Sequence, residues 1–456
     1  MKTIVYTSAL GLVCMVAEMF NLRKLILPIA VLGLLAIFGL NVFDWGVNES
    51  FYTNMVRVDN FSVAFSAVLI LLTVFILVLS GNFYKNEESK LSDYLAIIIF
   101  TLCGALAMVS FGNMAMFFLG LEVLSISLYI LAGSKRKDVR SNEAAMKYFL
   151  MGSFASGILL FGIALIYGET GSFDLPRIND YTASHTPSLL YFIGAGMILI
   201  ALLFKVSAAP FHFWAPDVYE GSPTLTTLTM ATIAKIAAFG AFYRLFSSSF
   251  TLAMPHYAWV LSAVTALTMV IGNFSALNQD SFKRMLAFSG ISHAGYLMLA
   301  IVSLYAKTDN ALLFYSLSYG ISSVAAFAVS IIVAANVGSD KFEAFNGLGK
   351  RKPMLAAALT ISMLSLAGIP PFAGFFGKYY IFSEAIQAGH LWLVVFAVIN
   401  SIVSVYYYFK VILAMYTKDS SEVSFTVKPA YAIVIALCIV LTILVGIFPS
   451  AIANLL

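Results

Sequence analysis

Six ionisable side chains sit inside apolar runs, where a chain seldom tolerates them. Lys205 lies in LIALLFKVSAAPFHFW five residues before Pro210, and Lys235 in the middle of TLTMATIAKIAAFGAFYRLF. Lys378 follows the Pro370–Pro371 pair of LAGIPPFAGFFGKYYIF by about two turns. Glu122, in MFFLGLEVLSISLYILAG, is the one acidic residue of 22 that falls in mid-run. His293, in AFSGISHAGYLML, has Ser289 and Ser292 close by to order water, and His212 lies just beyond Pro210. A charge held in hydrocarbon costs roughly 2.5–3.5 kcal/mol, so such a residue is a functional hypothesis by default. The chemistry these types offer is proton transfer. Burial disfavours the charged form of any lysine and a nearby carboxylate favours it, so Glu122 can hold Lys205 protonated when close and release it when they separate. An imidazole titrates near neutrality and can pass a proton on.

Each residue also has a plain structural use. A lysine can snorkel to an interface, a buried Glu–Lys pair can serve the fold alone, and a lone histidine on an apolar face often only packs. Lys205 is some eighteen residues into its run and Lys235 eleven from either end, which argues against snorkelling. Lys147 is a turn inside its run and is expected to snorkel. Lys410, about six residues inside and just past Tyr406, Tyr407 and Tyr408, fits either use. His212 is expected to bind carbonyls freed by Pro210 ahead of any role as a relay.

The elements that must position these groups are transmembrane helices. Of the 456 residues, 61% are apolar and 11% charged, with a mean hydropathy of +0.94. That composition excludes a soluble globular domain and predicts an all-α polytopic membrane protein. Runs long enough to cross about 30 Å of hydrocarbon lie near 3–20, 25–42, 60–80, 94–111, 114–132, 143–167 and 187–216. Seven more lie near 224–246, 257–277, 284–304, 311–336, 354–388, 390–416 and 429–454, which predicts about 14 spans. The first run has no small-residue cleavage site and is expected to be a retained helix rather than a signal peptide.

Alternate loops differ in charge. With the N-terminus outside, the inner loops hold 16 Lys and Arg residues: Arg23, Lys24, Lys85, Lys90, Lys135, Arg136, Lys137, Arg140, Lys283, Arg284, Lys341, Lys350, Arg351, Lys352, Lys418 and Lys428. The outer segments hold five, namely Lys2, Arg57, Arg177, Arg244 and Lys307. Cytoplasmic loops carry the excess of basic residues, so both termini are expected on the outer side. Glu18 and Glu384 fall near helix ends.

Proline interrupts two spans, the seventh at Pro210 and the twelfth at Pro370 and Pro371, and each break lies near a lysine. Matched broken segments point to an ion site built from internal repeats. The spacing fits two five-helix units, spans 4–8 and 9–13, and an odd number of spans per unit would invert the second. The expected divisions are 1–92, 93–250, 251–420 and 421–456.

Several chemistries are excluded. GFFGKYY lacks the spacing and the final hydroxyl of a phosphate loop, and no dinucleotide fingerprint follows a strand. Cys14, Cys103 and Cys438 are odd in number and far apart, which argues against disulfides or metal ligation. The net charge of +4 is scattered over loops and gives no case for nucleic-acid binding. The chain has no place of its own for a nucleotide, flavin or metal cluster.

From about Asp59 onwards, DVYEGSPT after a broken Lys-bearing helix, ATIAKIAAFGAFYRLF, RMLAFSGISHAGYL and AGIPPFAGFFGKYYIF in order resemble the antiporter-like membrane subunits of respiratory complex I, the NADH-quinone oxidoreductase. The resemblance implies two inverted five-helix repeats with broken helices 7 and 12, joined by a hydrophilic axis at mid-membrane. It implies that Glu122 is the fifth-helix carboxylate, Lys205 its partner, Lys235 the central lysine and Lys378 the terminal proton-exchange lysine. A lysine at 378 rather than a glutamate, and a chain that ends soon after its last span without a lateral amphipathic helix, resemble one sibling of that family in particular. NAD, flavin, iron-sulfur clusters and quinone are then expected in partner subunits, with neighbouring membrane-arm subunits and the lipid bilayer as partners, in a bacterial inner membrane. The expected activity is proton translocation driven by quinone reduction elsewhere. Two rivals are a subunit of a multisubunit cation/proton antiporter and a structural scaffold with a vestigial polar axis.

Overall fold

Long apolar stretches have no soluble alternative to the helix in lipid, because every backbone N–H and C=O must then be satisfied internally. The computed structural model describes residues 1–17, 19–20, 23–84, 91–304, 308–418 and 425–456, with the backbone alone at 23–24. Glu18, Lys85, Lys90 and Lys307, and the side chains of Arg23 and Lys24, lie outside the described residues. The helices are α1 (Lys2–Ala17), α2 (Arg23–Phe43), α3 (Asn60–Phe83), α4 (Leu91–Ser110), α5 (Met114–Ala132), α6 (Val139–Thr170) and α7 (Leu175–Ser184). Then come α8 (Leu189–Lys205), α9 (Trp214–Gly221), α10 (Thr224–Thr229), a π-helical turn (Met230–Ala234), α11 (Lys235–Ser248), α12 (Met254–Leu277), α13 (Phe282–Ser303) and α14 (Thr308–Val337). A 3-10 turn (Phe342–Phe345) precedes α15 (Leu348–Arg351), α16 (Pro353–Ala367), α17 (Ala373–Gln387), α18 (Leu391–Thr417), α19 (Pro429–Ile447) and α20 (Ser450–Ala453).

Among the described residues, eleven helices are long and apolar enough to cross a membrane, counting α10, the π turn and α11 as one, and three shorter apolar helices join them. This is an all-α polytopic membrane protein with two departures from the expected all-helical pattern. A two-stranded antiparallel hairpin, β1 (Glu49–Phe51) with β2 (Val56–Val58), precedes α3, and Val56 bridges on to Phe111. The surface helix α7 lies in what reads from sequence as a loop. Several basic residues assigned to loops are helical, among them Lys283 and Arg284, which open α13, and Arg244, which lies in α11, buried against Asp59. In each of these three a fixed partner lets a charge enter the helix end.

Burial sorts the helices into a centre and a rim. The best 18-residue window is 100% buried in Thr224–Ser248, 94% in α13, 83% in α3 and 78% in α14, against 33% in α6 and 28% in α2. The rim exposes Trp259, Phe154, Ile402 and other large apolar side chains, as a lipid-facing surface must. Close packing at the rim uses small residues. Gly162 of α6 and Gly194 of α8 face each other so closely that a Cβ on either would lie 2.9 Å from the other's carbonyl oxygen. That contact brings α8, which carries Lys205, close against α6.

Candidate functional site

The spans that carry Pro210 and the Pro370–Pro371 pair are both interrupted, and each break leaves carbonyls without the usual helical donor. At the first, α8 ends on Lys205; Val206 N bonds Leu202 O at 3.0 Å, Ser207 N bonds Phe204 O at 3.0 Å, and Ala208 N bonds Leu203 O at 2.9 Å. Trp214 Nε1 also donates to Phe204 O, at 3.1 Å, and Ala209 N donates to Thr268 Oγ1 of α12 at 2.9 Å. The indole therefore serves one freed carbonyl, while His212, expected to bind such carbonyls, hydrogen-bonds the backbone of Pro210. His212 is buried beside Phe213, and among the described residues its Nδ1 has no hydrogen-bond partner. At the second break, Gly368 and Ile369 cap the end of α16, and Lys378 Nζ itself takes a freed carbonyl, Ala367 O, at 2.9 Å. The Ala209–Pro210 and Pro370–Pro371 peptide bonds are cis. Lys205 thus ends α8, and the Lys378 ammonium, carried on α17, reaches the C-terminal end of α16; at both ends the helix dipole favours a cation.

Lys205 reaches across to α5, donating from Nζ to Ser125 Oγ at 2.6 Å, with its ammonium 5.8 Å from the Tyr148 ring centroid. Glu122, one turn before Ser125, accepts a hydrogen bond from Ser156 Oγ of α6. Both residues are half-buried, and each is held by a serine rather than by the other. The narrow cleft lined by Ser125, Gly152, Ser156 and Lys205 has room for about one water molecule.

Lys235 follows the π turn, a local unwinding that often marks a functional position in a helix. It is 3% exposed, and its Nζ donates to the carbonyl of Gly290 on α13 at 2.5 Å, 5.7 Å from the Tyr319 centroid. One turn along α13, His293 Nδ1 pairs with Tyr315 Oη at 2.6 Å and Nε2 with Tyr408 Oη at 3.0 Å; Tyr408 Oη in turn pairs with Ser289 Oγ at 2.5 Å. The His293 ring lies 4.9 Å from that of Tyr319. Lys378 Nζ also donates to Ser401 Oγ at 2.8 Å and sits 4.8 Å over the Tyr296 ring. Lys235, His293 and Lys378 therefore occupy one buried polar seam between α11, α13, α14, α17 and α18, bounded by tyrosines.

Lys410 lies apart from this seam. Its Nζ donates to Gln279 O at 3.2 Å, approaches Asp280 Oδ1 at 4.0 Å and covers the Phe342 ring. Lys147, expected to snorkel, is held by ion pairs to Glu143 at 2.7 Å and Asp217 at 3.1 Å. Asp217 and Glu220 also bind Arg284, at 3.1 and 2.5 Å, so the DVYE segment is tied to α6 and α13 by charge.

Sequence reasoning missed Ser125, Ser156, Asn273, Tyr296, Tyr315, Tyr319, Asn400 and Ser401. Two carried a signal, because Asn273 and Asn400 are carboxamides inside apolar runs and both are almost fully buried. Gly290 and Ala367 carried none, since they act through their carbonyls. Among the described residues, no three His, Cys, Asp or Glu side chains converge as metal ligands.

Residues 112–404 match the sequence profile of the family described as NADH:quinone oxidoreductase/Mrp antiporter, transmembrane. The chain is 50% identical over 456 residues to NADH-quinone oxidoreductase subunit N of Flavobacterium psychrophilum, covering 100% of both chains. It is 34% identical to a chain in a structure of respiratory complex I from Thermus thermophilus with bound aureothin, at a TM-score of 0.85, covering 99% of this chain and 98% of that one. A chain of the Mrp complex from Dietzia sp. DQ12-45-1b shares the fold at 21% identity, with a TM-score of 0.86 over 99% of this chain and 94% of that one. With fold, motifs and full-length similarity in agreement, the chain belongs to the NADH:quinone oxidoreductase/Mrp antiporter transmembrane family.

Proposed function

We propose that this protein is the subunit N of a bacterial NADH-quinone oxidoreductase and moves protons across the inner membrane through Glu122, Lys205, Lys235, His293 and Lys378. The observation that carries the reading is the buried seam in which Lys235, His293 and Lys378 share tyrosines and backbone carbonyls at one depth. Buried lysines without carboxylate partners are expensive, and two of them in one seam with a histidine serve the passage of charge better than they serve stability. Quinone reduction in partner subunits, which would also hold the NAD, flavin and iron-sulfur clusters, supplies the drive.

In this reading the eleven long and three short apolar helices make 14 crossings, with both termini outside. Residues 93–250 and 251–420 form two inverted five-helix repeats, flanked by 1–92 and 421–456, and the two broken helices are their matched members. A charge shift arriving from a neighbouring membrane-arm subunit changes the distance between Glu122 and Lys205. Ser125 and Ser156, one turn apart in what they bind, hold the two groups in the separated arrangement. Lys205 then yields its proton towards Lys235, through waters, and the proton passes by His293 to Lys378 and out. His212 beside the first break is a further candidate relay, and Lys410 is the weakest member of the set.

The test is the number of protons pumped per electron by the assembled complex in proteoliposomes. Lys205→Ala and Lys378→Ala are expected to lower it while NADH oxidation continues. An unchanged ratio in both variants would overturn the proposal. The family also includes cation/proton antiporters, and transport of sodium or potassium independent of NADH would favour that second reading. A neutral residue at Lys235 that costs stability without a specific loss of pumping would favour a scaffold.

A further inference from the structure

Beyond Lys205 the chain folds back on its own helix for three residues, with Val206, Ser207 and Ala208 donating to the carbonyls of Leu202, Phe204 and Leu203. Ala209 is the first whose N–H goes elsewhere. It donates at 2.9 Å to Thr268 Oγ1 of α12, a side chain 59 residues further on. The same hydroxyl donates its own proton to Val264 O at 2.6 Å, so only its lone pairs are left to face Ala209. Ala209 and Thr268 are both 0% exposed. A buried N–H is costly to leave without an acceptor, and among the described residues Thr268 is the acceptor this one has.

The helix at the far side of that bond is itself fixed. A Cβ on Gly272 of α12 would overlap Ser292 N of α13, and one on Gly295 of α13 would lie 3.0 Å from Met269 N of α12. The two backbones therefore run in near contact, and neither helix can slide along the other without a clash. α13 presents the Gly290 carbonyl to Lys235 and carries His293. α8 meets α12 at a second point near its start, where the Tyr257 hydroxyl donates to Phe192 O. The Thr268 hydroxyl is thus where the broken end of α8 is fastened to the helix pair that serves the central lysine.

We infer that Thr268 is a positioning residue for Lys205: its hydroxyl anchors the break so that the ammonium rests on Ser125, and ties any movement of the break to α12 and α13. The inference rests on the proton-relay reading above. Ala209 follows Lys205 by four residues, and the three between them are already bonded to α8, so the anchor acts on the lysine through a short, stiff segment. Without the hydroxyl, Ala209 N–H must find a new acceptor and the last turn of α8 shifts with it. The bond from Lys205 Nζ to Ser125 Oγ, now 2.6 Å, is then lengthened or lost. Thr268 acts through Ala209 and the end of α8, not on the proton itself.

The experiment uses the assembled complex and has two readouts. Hydrogen–deuterium exchange of the segment that holds Ala209, followed by mass spectrometry in detergent, reads the bond; protons pumped per electron in proteoliposomes read its use. Thr268→Val keeps the volume and removes the hydroxyl. It is expected to speed exchange at Ala209 by about ten-fold and to lower the ratio. Thr268→Ser keeps the hydroxyl and loses the methyl, and is expected to match wild type in both. Thr268→Ala is expected to behave as the valine variant and covers the case in which that variant does not assemble. On a Lys205→Ala background, Thr268→Val is expected to lower the ratio no further, because both changes act on one step; a residue that merely loosened the fold would add its own loss. Wild-type exchange or a wild-type ratio in Thr268→Val, a serine variant that fails like the valine, or an additive loss in the double variant would overturn the assignment. Exchange at Ala209 needs no pumping, so loss of the anchor is told apart from failure of the relay reading, which shows as an unchanged ratio in Lys205→Ala.

Discussion

At the residue scale, Lys235 is held by an acceptor that leaves no trace in side-chain chemistry. A Cβ added at Gly290 would lie 2.9 Å from Lys235 Nζ, so a larger residue here would force the flexible end of that lysine to move off its present place. Gly290→Ala should push the amine off and forfeit a charge-assisted hydrogen bond of about 1.5–3 kcal/mol. The expected outcome is slowing of any step through Lys235 by about ten-fold or more, seen as a lower proton-to-electron ratio in an assembled complex. A variant that pumps normally would show that the Lys235–Gly290 bond is not on the path. Met269, Lys235 and Tyr319 surround this stretch of α13 closely, so the complex content of the membrane should be measured beside the ratio.

At the scale of the elements, the start of α3 shows how a charged cluster fixes a helix. Asp59 caps α3 by accepting from Ser62 N at 2.8 Å, while its own N–H donates to Ser62 Oγ at 2.9 Å. The same carboxylate accepts from Arg244 of α11 at 2.6 Å and pairs with Arg57 at 3.3 Å. Partial burial pushes the Asp59 carboxyl upward, but the Arg244 charge and the hydrogen bonds outweigh it and hold the group below the usual carboxylate range. A depressed carboxylate contributes stability at neutral pH that is lost as pH falls below about 4. Asp59→Asn leaves Arg244, 7% exposed, without its counter-charge. The expected cost is about 3 kcal/mol, read as a lower midpoint in thermal unfolding in detergent. The variant should also lose the part of the acid destabilisation that Asp59 carries, so the gap to wild type should narrow below pH 4.

At the scale of the whole molecule, a buried centre of α3, α11, α13 and α14 carries the polar seam and a rim of half-exposed helices faces lipid and neighbouring subunits. The charge asymmetry of the loops predicts an orientation for this body. Cysteines introduced in place of Glu49 in the hairpin and Arg136 between α5 and α6, both exposed, should report on opposite faces. An impermeant maleimide is expected to label Glu49→Cys in intact cells and Arg136→Cys only after permeabilisation. The reverse pattern would invert the topology and with it the direction in which the Lys205-to-Lys378 path runs. The native Cys14 and Cys438 are buried and Cys103 is half-buried, which keeps the background low.

Much of this protein was determined by its amino-acid sequence alone. Apolar runs of bilayer length dictate spanning helices, prolines dictate where two of them break, and the cost of a charge in hydrocarbon singles out Lys205, Lys235, Lys378 and Glu122 before any fold is known. Tertiary structure decided which polar groups meet. Lys205 and Ser125 are 80 residues apart, Lys235 and Gly290 are 55 apart, and His293 and Tyr408 are 115 apart. Such pairings depend on the register with which helices pack, which no local pattern encodes, and several of the acceptors are backbone carbonyls that every residue possesses. The same holds for Tyr296. A tyrosine in an apolar helix is unremarked as sequence, and only the packing of α13 and α17 brings its ring within 4.8 Å of Lys378 Nζ.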